Sequence, residues 1–112
     1  MKAKTAKEVL IAAKWILTHF DWCQNSWYVA TDGQLIGEEY FITTGQKQLK
    51  CCCLHGAVDL VECEVPARIG AIGLLERNLG LDYDGIITWN DVKGRTKKQV
   101  INLLNLAIKK AP

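Results

Sequence analysis

Lys50-Cys-Cys-Cys-Leu-His-Gly-Ala57 holds three of the five cysteines and one of the two histidines of this 112-residue chain. Its reading decides the fold. On a helical wheel at about 100° per residue, Cys53, Leu54, Gly56, Ala57, Leu60 and Val61 share one broad face, and only His55, Asp59 and Glu62 form a polar strip. So wide an apolar arc predicts a helix from about Lys50 to Glu64, buried on most sides. Val65-Pro66 closes it, because proline disfavours helix in the residue before it. Cys53 then turns inward as a small hydrophobe. Cys51, His55 and Asp59, four residues apart, share the one wet edge.

Downstream, Pro66 is suited to open a third helix as its first residue. That helix carries Ile69, Ile72, Leu74, Leu75 and Leu79, and Gly80 caps it. Gly70 and Gly73 give it a small face for close approach of another helix or a hairpin. Upstream, Thr5-Ala-Lys-Glu8 is a capping box, and Val9, Ala12, Ala13, Ile16, Leu17 and Phe20 follow helical spacing. A first helix is predicted over Ala6–His19, with Trp15 beside its stripe in the core. Asp21 to Ser26 reads as a polar turn, Trp27 to Ala30 as a strand, Asp32-Gly33 as a tight turn and Leu35-Ile36 as the returning strand. Thr43 to Gln48 reads as a loop. Asp84-Gly85 predicts a turn and Ile86-Ile87-Thr88 a short extended piece, followed by a polar loop over Asn90–Arg95. Thr96-Lys-Lys-Gln99 is a second capping box. It starts a last helix with Val100, Leu103, Leu104, Ala107 and Ile108 inward and Lys109-Lys110 at its negative end. The fold class expected is α+β, mostly α: four helices packed with one small β-hairpin in a single domain, residues 1–112.

Hydrophobic residues make up 49% of the chain and charged residues 23%, which excludes disorder. Fourteen basic residues face twelve acidic ones, so charge gives no strong nucleic-acid signal. No cleavable leader and no apolar run of about 18 residues is visible, so no membrane span is expected. Five cysteines, three of them consecutive, form no secreted disulfide pattern. A reduced, cytoplasmic protein is expected.

Two kinds of chemistry compete. A histidine that activates a thiol and is oriented by an acid is the logic of thiol catalysis, and Cys51–His55–Asp59 offers those types on one face. The ladder spans about 12 Å along the axis, too far for one metal ion to bind all three. There is no C-x-x-C pair, so neither metal nor cofactor is expected. Cys23, in a polar turn after His19 and Asp21, is a second candidate nucleophile, with His19 or His55 as base and Asn90 completing a papain-type set. Chain order and length are wrong for that fold. The other chemistry is anion binding by Trp89-Asn-Asp-Val-Lys-Gly-Arg-Thr96, at a helix start where free amides favour anions. Lys93, Arg95, Lys97 and Lys98 add charge, Gly94 admits a ligand to backbone, and Trp89 can stack on a ring. The Walker pattern is missing. In the plainer reading Asp91 and Thr96 are caps, Arg95 pairs with an acid and Trp89 is core.

Trp22-Cys23-Gln24, Cys53-Leu-His-Gly-Ala57 and Trp89-Asn-Asp91 with Arg95-Thr96 together resemble a small uncharacterised domain family of bacteria, notably actinobacteria, and their phages. The resemblance covers nearly the whole chain. It implies a small cytosolic domain without assigned activity, and makes Trp22, Cys23, Gln24, Asn90, Asp91, Arg95 and Thr96 the better site residues. His55 departs from it, since similar sequences are more often apolar there, which weakens the ladder. The expected function is a non-enzymatic binding module for a small anionic, nucleotide-like ligand or a partner protein, with a role in host–phage conflict. Its ligand contacts are expected at Trp22, Gln24, Trp89, Asn90, Asp91, Arg95 and Thr96. The alternative is a small cysteine-dependent hydrolase or transferase built on Cys23, with His55 and Asp59 as weaker candidates.

Overall fold

A computed structural model describes residues 2–31, 49–80 and 84–112. In chain order the elements are α1 (Ala6–His19), β1 (Asp21–Trp22), β2 (Tyr28–Ala30), β3 (Leu49–Cys52), α2 (Leu54–Leu60), α3 (Val65–Arg77), α4 (Ile86–Asn90) and α5 (Lys97–Lys110). The fold is α+β and mostly α, with five helices and a three-stranded sheet among the described residues. Its radius of gyration is 13.2 Å, the value of about 13 Å that a compact chain of this length gives.

The opening stretch is not one helix. Lys50, Cys51 and Cys52 lie in β3, and α2 begins only at Leu54. β3 is the central strand: β1 runs parallel to it, with Trp22 opposite Cys52, and β2 runs antiparallel, with Tyr28 opposite the same Cys52. Leu49, Cys51 and Cys52 of this central strand are buried and Lys50 is exposed, so its four residues show no clean alternation, and periodicity cannot separate so short a segment from a buried helix. Cys53 sits at the junction with extended backbone, and its Sγ accepts the Gly56 amide at 3.3 Å. It therefore serves as the helix N-cap, a post usually held by Ser, Thr, Asp or Asn.

Gly56 is fixed by this junction. A Cβ on it would meet the Trp27 carbonyl oxygen at 2.3 Å, and the same oxygen accepts the Cys53 amide at 3.2 Å. Glycine allows β2 and the first turn of α2 to approach this closely.

α1 is the central helix, packed on α2, α3 and α5. Both capping boxes form: Thr5 with Glu8 starts α1, and Thr96 with Gln99 starts α5. Val9, Leu10, Ala13, Ile16 and Leu17 are the buried stripe of α1. Trp15, predicted in the core, is instead 54% exposed. It shares a strip with Glu8, Ile11 and Thr18, one wheel position away from the stripe. In α3 the buried residues are Ala67, Ala71 and Leu75, and Ile69 is 66% exposed. The small face works as predicted at Gly70, whose Cβ would lie 3.2 Å from that of Ala6 on α1. Gly73 faces only its own helix's Arg77.

Ile86 to Thr88, predicted extended, are the first residues of α4, and Asn90 ends this helix rather than opening a loop. The strand over Trp27–Ala30 is present as β2. The tight turn at Asp32-Gly33, the returning strand at Leu35-Ile36 and the loop at Thr43–Gln48 lie outside the described residues. Among those residues no helix is long and apolar enough to cross a membrane.

Candidate functional site

Trp22, Cys23, Gln24, Asn90 and Asp91 come together where the end of β1 meets the end of α4. Asn90 is wholly buried, the one buried polar residue among those described. Its Oδ1 accepts the Trp22 indole N–H at 2.6 Å and the Leu54 amide at 3.0 Å. Its Nδ2 donates to the Cys23 carbonyl at 3.2 Å and to Asp91 Oδ1 at 2.9 Å. All four hydrogen-bonding positions of the amide are thus filled. The Gln24 side chain donates to the Asn90 and Val92 carbonyls at 3.0 and 2.7 Å, and Asp91 Oδ1 accepts the Asn25 amide at 2.9 Å. Asn25 has a positive φ of 64°, a conformation asparagine tolerates.

Trp89 and Arg95 form an adjoining pair. Trp89 is buried, the Arg95 guanidinium carbon lies 4.0 Å above the centre of its ring, and Arg95 Nε donates to the Trp89 carbonyl at 3.0 Å. Thr96 Oγ1 is spent on the Gln99 amide at 3.2 Å, and Lys97 Nζ donates to the Phe20 carbonyl at 3.0 Å. Lys93, Gly94 and Lys98 face outward. The structure therefore gathers the motif residues that the sequence singled out, and each makes contacts inside the fold.

Three of the thiols, Cys23, Cys52 and Cys53, are held in their neutral form. Burial first, and then the neighbouring Cys51, push the Cys23 thiol far above the ordinary cysteine range. Its Sγ donates to the Ser26 carbonyl at 3.7 Å, and neither histidine is hydrogen-bonded to it. Burial likewise raises Cys52, with Cys53 and Cys51 adding to the effect. It raises Cys53 against the opposing pull of the Gly56 and His55 amides. The Cys51–His55–Asp59 ladder does not exist, because Cys51 belongs to β3 and the two others to α2. Asp59 accepts a short hydrogen bond from the Tyr28 hydroxyl, and the Trp27 ring packs on His55 with centroids 4.4 Å apart. His19 stacks on Trp15 at 4.0 Å, and its Nδ1 meets the Trp15 carbonyl at 2.8 Å. Among the described residues no group of three or more His, Cys, Asp or Glu side chains could hold a metal ion.

A feature the sequence reading missed lies on α1. Ile11 is 49% exposed beside the half-exposed Trp15. Two grooves flank the pair, one of about 490 Å³ running to Leu60, Val61 and Glu62, the other of about 400 Å³ running to Lys2 and Glu8. Both rest on Ala3 and Ala12. Ala3 is anchored by a parallel bridge to Cys63, through Ala3 N to the Glu62 carbonyl and Glu64 N to the Ala3 carbonyl at 2.9 and 3.0 Å. The available signal was the strip Glu8–Ile11–Trp15–Thr18, which places two large apolar residues among polar ones.

Residues 1–110 match a family of unknown function, DUF6197. The chain belongs to that family. No curated protein and no solved structure matches it. Membership of DUF6197 agrees with the uncharacterised domain that the motifs resemble, and it assigns no activity.

Proposed function

We propose that this domain is a non-enzymatic binding module for a partner protein, and that the partner seats on the Ile11–Trp15 ridge of α1. The observation that carries this reading is the pair itself: two large apolar side chains, one turn apart, half in solvent and beside two grooves that share Ala3 and Ala12. Tryptophan in such a setting is the residue type on which interfaces concentrate their energy, and Lys2, Glu8 and Glu62 supply the polar rim. Thiol catalysis has less support, since a neutral, partly buried Cys23 without a histidine partner lacks the activated sulfur a nucleophile needs. The anion reading rests on Lys93, Gly94, Arg95 and Lys98, and the polar groups nearest them are engaged within the fold. A bacterial or phage setting and a role in host–phage conflict belong to the proposal through the resemblance, and a cytoplasmic location through the cysteine pattern as well.

The test is a selection of displayed random peptides on the purified domain. Enriched peptides are expected to perturb the amide signals of Ala3, Ile11, Ala12 and Trp15, and to lose at least about 30-fold in affinity when Trp15→Ser is introduced. Arg95→Ala should leave that affinity intact. If no peptide is enriched, or if the enriched peptides bind Trp15→Ser as well as the parent, the reading fails.

A further inference from the structure

A third concavity, of about 450 Å³, opens on another part of the molecule, between α2, α3 and the start of α4. Its lining comes from His55 on α2, Ile72 and Glu76 on α3, and Asp84 to Thr88 on the turn into α4. The walls are apolar: Ile72 is half-buried, Ile86 is buried and Ile87 is 37% exposed. The charges are of one sign. Glu76 and Asp84 contribute two exposed carboxylates, and among the described residues neither lysine nor arginine belongs to the lining. Glu76 bends over the turn, its Oε2 lying 3.4 Å from where a Cβ on Gly85 would be.

His55 adds a polar atom whose bonding is incomplete. Its Nδ1 is buried and has no hydrogen-bond partner, an uncommon state for a buried polar group. Trp27 packs on the imidazole ring. The charged groups that act on His55 are Asp59 from its own helix, and Arg68 and Glu76 from α3. Arg68 is turned to the Asp59 and Val61 carbonyls at 3.2 and 2.8 Å.

We infer that this cavity binds an organic cation: an alkylammonium group held by the Glu76 and Asp84 carboxylates, with a short hydrocarbon body against Ile72 and Ile86. Two carboxylates in a lining whose described residues include no lysine or arginine favour positive charge. The isoleucine walls favour a cation that carries apolar surface, because a hydrated metal ion gains nothing from them and needs more oxygen ligands than this cavity supplies. A small-molecule amine and the side chain of a lysine share this chemistry.

The experiment compares three probes of equal length, n-pentylammonium, 1-pentanol and pentanoate, by amide and imidazole chemical-shift titration of the intact domain. Pentylammonium is expected to shift Glu76, Gly85, Ile86 and the His55 ring, and to bind roughly tenfold more tightly than pentanol, the sum of two modest exposed ion pairs. Pentanoate should shift none of them. Glu76→Gln and Asp84→Asn should each weaken pentylammonium about threefold, and the double variant should bind it no better than pentanol. Both positions are exposed, so an unchanged thermal midpoint is expected for each variant. Equal binding of amine and alcohol, binding of the amine that survives in the double variant, or no shift in this cavity up to about 50 mM probe overturns the proposal. A bound free amine would then be separated from a lysine side chain by repeating the titration with a capped lysine peptide, which must bind the parent and not the double variant.

Discussion

The Trp22 indole donates to the Asn90 side-chain oxygen at 2.6 Å across 68 positions of sequence. This bond joins the sheet to α4, and the other three bonds of the same amide join it to α2, to the β1 end and to the following loop. Removing one buried partner leaves the others unsatisfied at roughly 1–3 kcal/mol each. Asn90→Ala is therefore expected to cost about 3 kcal/mol or more in urea denaturation. Asn90→Asp should cost at least as much, since it keeps the acceptors, loses both donors and sets a charge beside Asp91. Trp22→Phe should cost less, because Leu54 still bonds Oδ1. Should Trp22→Phe prove the more damaging of the two positions, the amide is not the junction it appears from its bonds to be.

Gly56 offers a test of the strand–helix junction. An alanine methyl there would sit 2.3 Å from the Trp27 carbonyl oxygen and 3.1 Å from its carbon, and backbone cannot rotate aside as a side chain can. Gly56→Ala is expected to destabilise by about 3 kcal/mol, at the upper end of overpacking penalties. Gly94 is the control. It has a positive φ of 88° but open space around it, so Gly94→Ala should cost only about 1 kcal/mol of backbone strain. Thermal midpoints of the two variants decide; an equal loss, or the reverse order, contradicts the close approach.

The two capping boxes and the stripes of α1 and α5 were legible because each is local: a cap and its third residue, an apolar residue every three or four positions. The Cys51–Cys52–Cys53 junction was not. β3 is central and buries Cys51 and Cys52 in succession, so its pattern matches a buried helix, and its stop signal is a thiol acting as a cap. α4 was hidden for a similar reason, since Ile86-Ile87-Thr88 has the β-branched composition of a strand but only five residues in which to show a period. Trp22, Gln24, Asn90 and Asp91 could be picked out as a set. That they bond one another was invisible, because pairing over more than sixty positions leaves no mark in local spacing. Trp15 borders the apolar stripe of α1, which suggests the core, but the strip it shares with Glu8, Ile11 and Thr18 faces outward.

The cysteines make a prediction in two parts. Because burial disfavours the thiolate of Cys23, Cys52 and Cys53, iodoacetamide at about pH 8 should leave these three thiols of the native domain unmodified while it consumes a free small-molecule thiol. All five cysteines should react once the chain is unfolded. The same shifts set an alkaline limit. A thiol whose folded value lies above its unfolded one contributes stability that is fully present below about pH 9 and is lost as pH rises beyond it, because the unfolded chain then releases protons that the folded one retains. The urea midpoint should fall above that pH, and Cys52→Ala should lessen the fall. A native thiol that is alkylated at neutral pH would revive the catalytic reading of Cys23.

His55 predicts the opposite limit. Burial holds its imidazole below the ordinary histidine range, and Arg68 pushes in the same direction, while Asp59 and Glu76 oppose them. The folded domain therefore binds fewer protons than the unfolded chain once pH drops below the unfolded value of about 6.5. The stabilising contribution is complete above that value and is lost as pH falls from it toward the folded pKa. Urea midpoints measured at about pH 7.5 and about pH 5 should differ, with the acid one lower. His55→Gln cannot titrate, so it should reduce that difference. The imidazole signal itself gives an independent reading, since its midpoint in the folded domain must lie below that of a histidine in the urea-unfolded chain. An imidazole that titrates at or above the unfolded value, together with a pH dependence that His55→Gln leaves untouched, would mean that the ring is not held neutral by its seat between Trp27 and α3.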